Sequence, residues 1–149
     1  MNAAASEKNL VITRTFRAPR ELVWEAWADP EQLLKWFGPR HHPATKIEGE
    51  FRVGGKYRRC LTAADGQGDL WLTGEYREIV VPERLVFTFT WDGTQDTSTN
   101  VMLVTLTFED EGANTKMTLR QTGFLDVGQG EGHNEGWNSC FDRLVDFLA

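Results

Sequence analysis

The stretch EGHNEGWNSCFDRLVDFLA, residues 131–149, decides the fold. From Trp137 onward the apolar side chains fall at Cys140, Phe141, Leu144, Val145 and Leu148. That spacing is a helical period, so these side chains share one wide apolar face. Asn138, Asp142, Arg143 and Asp146 take the opposite face. A helix is therefore predicted from Glu131 to Ala149, with Gly123 to Gly130 as a glycine-containing connection into it. A face that carries Trp137 and Phe141 needs a large apolar partner.

The partner lies upstream. Leu10 to Phe16 is rich in β-branched residues and alternates, which predicts a strand. Ala18-Pro19 opens a helix, because proline suits the first helical turn. Asp29 ends that helix and caps a second one, with Pro30 at its first position and Gln32 placed to complete a capping box. Gly38-Pro39 stops it. Six strands follow: Lys46 to Val53, Lys56 to Ala63, Leu70 to Val80, Arg84 to Trp91, Val101 to Glu109 and Thr115 to Gln121. Turns at Gly54-Gly55, at Asp65 to Gly68 and at Asp110 to Asn114 separate them, with a polar, flexible loop over Asp92 to Thr99.

Seven antiparallel strands of this kind bend into one sheet with an apolar and a polar face. Only one long amphipathic helix is left to cover the apolar face. A helix is about 10–12 Å across and cannot fill such a concavity. Extra side chains, water or a ligand cavity must occupy the remainder.

Composition sets outer limits. The 149 residues suit a single domain over 1–149, with residues 1–8 frayed. The net charge of −6 is not the basic footprint of a nucleic-acid binder. No run reaches membrane-spanning length, and the first residues lack the apolar core of a secretory signal. The two cysteines, Cys60 and Cys140, sit in apolar patterns and read as buried thiols in a cytoplasmic protein.

Several motifs together resemble a known family. They are Phe16-Arg17-Ala18-Pro19 followed by Leu22-Val23-Trp24, then Asp29-Pro30 and Trp36-Phe37-Gly38-Pro39. Next come Phe51-Arg52-Val53-Gly54-Gly55-Lys56-Tyr57, Gly74-Glu75-Tyr76 and Pro82-Glu83-Arg84-Leu85-Val86-Phe87-Thr88. Glu135-Gly136-Trp137 and Leu144 close the series. In order and spacing the chain resembles the START-like, Bet v 1-type superfamily, also called SRPBCC. Within it, the chain is similar to the group named after the activator of the heat-shock protein 90 ATPase. The resemblance implies an α+β helix-grip fold: a curved antiparallel sheet of about seven strands around a long C-terminal helix, with two short helices after strand 1. Relatives bind lipids, hormones, polyketides and aromatic metabolites, and some are cyclases or hydrolases.

The expected function is thus binding of a small hydrophobic or amphipathic molecule, of the lipid, fatty-acid or aromatic-acid class, between sheet and helix. An enzyme of the polyketide cyclase/aromatase or hydrolase type is an alternative use of the same cavity. A chaperone-activating role is the third, although the N-terminal domain of such activators is not part of these residues. No cofactor, nucleic acid or membrane insertion is expected, and the chain is expected to be a monomer or weak homodimer.

The expected ligand residues are Tyr57, Arg59, Tyr76, Phe87, Phe89, Val104, Leu106, Met117, Leu119, Trp137 and Phe141. Leu85, Phe87, Phe89 and Trp91 alternate on one strand face, and Met102, Val104, Leu106 and Phe108 on the next. Such aromatic and methionine-rich rows make adaptable walls for a flat ligand, and equally a plain core. Arg59 stands where the family pattern usually has an apolar residue. If it shares a face with Tyr57 and Leu61 it points inward, where an unpaired charge is costly. A bound carboxylate, or an internal acid such as Glu75 or Glu48, would then meet it; a bulge would instead turn it outward.

Chemistry-bearing motifs are sparse. His41 and His42 are adjacent in a loop and His133 is isolated, so no metal spacing appears. The resemblance places that loop near the opening of the fold. No nucleophile elbow, Walker loop or dinucleotide fingerprint occurs. Glu75, Tyr76, Asp126 and His133 are the residues that would have to meet for acid–base work, and sequence does not place them within reach of one another.

Overall fold

The computed structural model describes residues 9–66, 68–92 and 99–149. The segment 1–8 expected to fray, most of the polar loop expected over Asp92 to Thr99, and one position of the Asp65 to Gly68 turn lie outside the described residues. Among the described residues the elements are β1 (Asn9–Phe16), α1 (Arg20–Ala28), α2 (Pro30–Trp36), β2 (Ala44–Gly49), β3 (Lys56–Thr62), β4 (Asp69–Val80), β5 (Arg84–Trp91), β6 (Met102–Glu111), β7 (Asn114–Thr122) and α3 (Val127–Leu148). The strands form one antiparallel seven-stranded sheet in the order β1-β7-β6-β5-β4-β3-β2. This is the expected α+β helix-grip architecture. No helix among the described residues is long and apolar enough to cross a membrane.

The inward rows meet in register. Phe87 faces Val104, Leu85 faces Leu106, Leu106 faces Leu119 and Phe108 faces Met117. All of these side chains are buried. At each step the pleat repeats every second residue, so one apolar row per strand makes a continuous floor.

Four local readings need correction. Pro19 is the N-cap of α1, extended at ψ 152°, and not its first helical residue. The capping box at α2 closes differently from the expected form. The backbone N–H of Asp29 already ends α1 by bonding Glu25, so the Gln32 amide donates to the Asp29 carboxylate instead, at 3.2 Å. β2 stops at Gly49, because residues beyond it turn back, with Gly55 N–H on the Arg52 carbonyl. Most consequentially, α3 begins at Val127, so Gly128 and Gly130, read as part of a connection, are helical.

That early start has a cause. Asp126 caps α3 by accepting from Gln129 N–H at 2.8 Å. The Gln129 side chain accepts from Leu125 N–H at 2.9 Å and exchanges two hydrogen bonds with the Asn100 amide. Each glycine weakens a helix by about 1 kcal/mol relative to alanine, and the cap and its tether offset that.

The concave face is filled unevenly. Trp24, Trp27 and Trp36 from the short helices, with Phe37, occupy one end. The Trp27 ring lies between 4.7 and 6.4 Å from those of Trp36, Phe37, Phe87, Trp137 and Phe141. At the other end, under β3 to β5 and the first half of α3, space remains.

Candidate functional site

That space is a pocket of about 370 Å³. Its sheet wall comes from Leu61 of β3, Leu70 and Leu72 of β4, and Phe89 and Trp91 of β5. Its rim is the loop after α2, with Phe37, Pro39 and His42. Its helix wall is Gln129, Gly132, His133, Gly136, Trp137 and Cys140 of α3. The lining is mainly apolar and sparingly polar.

Two glycines keep the helix wall open. A Cβ built on Gly132 or on Gly136 meets nothing within 4 Å. Gly128, Gly132, Gly136 and Cys140 are spaced four apart, so they fall near one side of α3. Small residues there leave a helix face without bulk opposite Phe89 and the leucines.

The rim loop is clamped to the same helix. Arg143 Nη1 donates to the carbonyls of Phe37 and Gly38 at 2.8 and 2.9 Å, and Nη2 to that of Lys35 at 3.1 Å. Lys35 and the C-cap Phe37 offer end-of-helix carbonyls with no partner inside α2, and Gly38 follows them, so an arginine of α3 satisfies all three. Arg40 adds its backbone N–H to Ser139 Oγ at 2.9 Å and an ion pair to Asp146 at 2.9 Å. Gly38 is required at φ +91°, since a Cβ there would stand 2.5 Å from the His42 carbonyl.

The polar groups of the pocket are restrained. Trp91 Nε1 donates to His133 Nε2 at 3.2 Å, which puts the imidazole proton on Nδ1. The ring packs against Phe89 and Phe124 at 5.3 and 5.4 Å. Burial lowers the His133 pKa to about 4, so the ring is neutral at pH 7. Burial raises the Cys140 thiol to about 12, so it presents a neutral, apolar surface. Trp137 faces inward and donates Nε1 to Gln121 Oε1 at 2.8 Å.

A second, smaller cleft of about 100 Å³ lies by β2 and the start of α2. Tyr57, Arg59 and Tyr76 line it, with Trp27 and Phe51. Arg59 points inward and is 1% exposed. Its Nη2 donates to Tyr76 Oη at 3.0 Å, and its guanidinium lies over the rings of Tyr57 and Phe37 at 4.1 and 4.8 Å. Neither acid considered for it is a partner: Glu75 pairs with Arg77 at 2.9 Å, and Glu48 is exposed.

The residues expected at the ligand thus separate. Phe89 and Trp137 line the larger pocket. Tyr57, Arg59 and Tyr76 line the smaller cleft. Phe87, Val104, Leu106, Met117, Leu119 and Phe141 line neither and are fully buried. The acid–base candidates also separate. His133 is in the larger pocket, Tyr76 in the smaller cleft, Asp126 on the α3 cap and Glu75 on Arg77. Among the described residues no group of three metal-ligating side chains forms. His42 lines the rim, while His41 is exposed. The sequence reading missed Arg143, Gln129 and the glycine face; the four-residue spacing of Gly128, Gly132, Gly136 and Cys140 was the available signal for the last.

Fold and pocket together define a helix-grip protein with an apolar cavity under its C-terminal helix. The chain belongs to the family of Activator of Hsp90 ATPase homolog 1-like proteins (AHSA1), whose family model matches residues 17–149. A crystal structure of a protein from Chromobacterium violaceum is similar, at 26% identity and TM-score 0.86 over 94% of this chain and 96% of that one. A solution structure of a protein from Arthrobacter aurescens is 29% identical, with TM-score 0.82, over 94% of this chain and 85% of that one. The AHSA1 protein of Silicibacter pomeroyi shares the fold at 23% identity and TM-score 0.84, over 94% and 96% of the two chains. No curated protein matches the chain.

Proposed function

We propose that this protein binds a small, flat, predominantly apolar molecule in the pocket between the sheet and α3. The observation that carries the reading is the glycine face at Gly132 and Gly136. Those glycines weaken the helix by about 1 kcal/mol each. Alanine would meet nothing at either position, so packing does not demand glycine there. An unobstructed pocket accounts for both.

The lining sets the ligand class. Phe89, Trp91 and Trp137 offer aromatic faces and edges, and three leucines complete the sheet wall. Arg59 is not part of this pocket, and His133 is held neutral, so no full charge faces the ligand from these two. The ligand is therefore uncharged where it is buried. The Nδ1 proton of His133 supplies one hydrogen-bond donor for orientation.

Native mass spectrometry of freshly purified protein tests this. The expected spectrum carries a discrete small-molecule adduct that organic extraction removes and that a neutral aromatic compound replaces. A spectrum of bare protein that also takes up no neutral aromatic compound contradicts the proposal.

A further inference from the structure

The smaller cleft collects the unmatched hydrogen-bond donors of the interior. Among the described residues, four buried side-chain nitrogen atoms have no hydrogen-bond partner. Three of them are Trp27 Nε1, Arg59 Nε and Arg59 Nη1, and both residues line this one cleft. All three atoms are donors, and none can accept. Arg59 is 1% exposed and Trp27 1% exposed, so bulk water does not serve them.

A buried guanidinium without a counter-charge is among the costlier arrangements a fold can hold. The rings of Tyr57, Phe37 and Phe87 stabilise it through cation–π contacts, at 4.1, 4.8 and 5.7 Å from Cζ. They leave the Nε and Nη1 N–H groups in the guanidinium plane unused. Tyr76 Oη accepts from Arg59, so its own proton is free to donate as well.

We infer that this cleft is a binding site for a small monocarboxylate, held by Arg59 with Trp27 and Tyr76 as further donors. The volume of about 100 Å³ exceeds the space for a single water, about 10–15 Å³, several times over. Glu48 and Glu50 stand among the lining residues and disfavour a multiply charged anion such as phosphate. Leu33, Ile47 and Phe51 make the remaining wall apolar, which suits a carboxylate carrying a short hydrocarbon body. The inference is independent of the larger pocket, because Arg59 and Trp27 line only this cleft.

The test uses the full chain labelled with nitrogen-15 at arginine and tryptophan. The Arg59 Nε–H and Trp27 indole N–H signals are assigned from Arg59→Lys and Trp27→Phe. Sodium formate is titrated against sodium chloride at matched ionic strength, and sodium benzoate is titrated in a parallel arm. The expected result is a saturable shift of both signals with formate or benzoate, and none with chloride. Saturation by formate identifies a free small carboxylate, and saturation by benzoate alone identifies the acid group of a larger molecule. The Tm of the wild type should rise with the same salt, and Arg59→Met should lose that rise. Gly136→Leu, which fills the larger pocket, should keep it. Signals that stay fixed with both carboxylates overturn the inference, as does an equal rise in Tm with Arg59→Met.

Discussion

Trp91 and His133 are joined by an indole-to-imidazole hydrogen bond of 3.2 Å that ties β5 to α3 across the pocket. Burial holds the His133 pKa near 4, below its usual 6.5. The unfolded chain therefore takes up a proton at His133 at a higher pH than the folded chain does. Stability from this group is full above about 6.5 and is lost as pH falls toward 4. The loss should be about 1–3 kcal/mol. His133→Gln keeps an acceptor for Trp91 and removes the titration. Urea unfolding at pH 7 and pH 4.5 should show a smaller difference for the variant than for the wild type. Equal differences would contradict the assignment.

Gly136→Ala should raise stability by about 0.8–1 kcal/mol, from helix propensity alone. The added methyl meets nothing within 4 Å. Chemical denaturation reads the change, and a destabilised variant would show that the pocket is narrower than described.

Arg143→Met should lower stability by about 1–3 kcal/mol, because three carbonyls of the α2 end lose a charged donor. Lysine cannot span all three with one planar fork, so Arg143→Lys should recover only part. Hydrogen exchange should quicken at Ala44 N–H, which bonds the Phe37 carbonyl. Unchanged exchange there would separate the clamp from the rim.

Gly74 and Tyr57 make a close fit. A Cβ at Gly74 would stand 2.4 Å from the Tyr57 ring, and the Tyr57 hydroxyl donates to the Thr88 carbonyl at 2.5 Å. Gly74→Ala should destabilise by about 3 kcal/mol through overpacking. Tyr57→Phe should cost about 1–2 kcal/mol through the lost buried hydrogen bond. Unfolding curves that rank them in the reverse order would contradict this reading.

The fold was largely legible because it rests on short periods. The alternation over Leu85, Phe87 and Phe89 and the helical stripe at Trp137, Phe141 and Leu144 each fix one face locally. The site was legible only in part, because it depends on which side chains are missing. The sequence reading took the aromatic and methionine rows for the ligand wall, yet Phe87, Leu106 and Met117 are fully buried and line neither pocket, with Trp27 packed on Phe87. No local pattern says that Trp27 will cross to Trp137 and close that end of the concavity. Gly128 and Gly130 were read as part of a connection, since glycine alone disfavours helix. Their helical state depends on Asp126 and on the tether from Gln129 to Asn100, which is distant in sequence. Alternation with Tyr57 and Leu61 offered the inward direction of Arg59 as one of two outcomes, and the side chain is buried. Its partner did not follow, because Tyr76 reaches it from the neighbouring strand.

The claim that matters most is that α3 leaves room for a guest beside Gly136. Fluorescence titration with the neutral probe N-phenyl-1-naphthylamine measures it directly, on the wild type, Gly136→Ala and Gly136→Leu. The wild type should bind saturably with enhanced emission, the alanine variant should bind more weakly, and the leucine variant should lose binding while remaining folded. Undiminished binding by a folded Gly136→Leu protein would contradict the account.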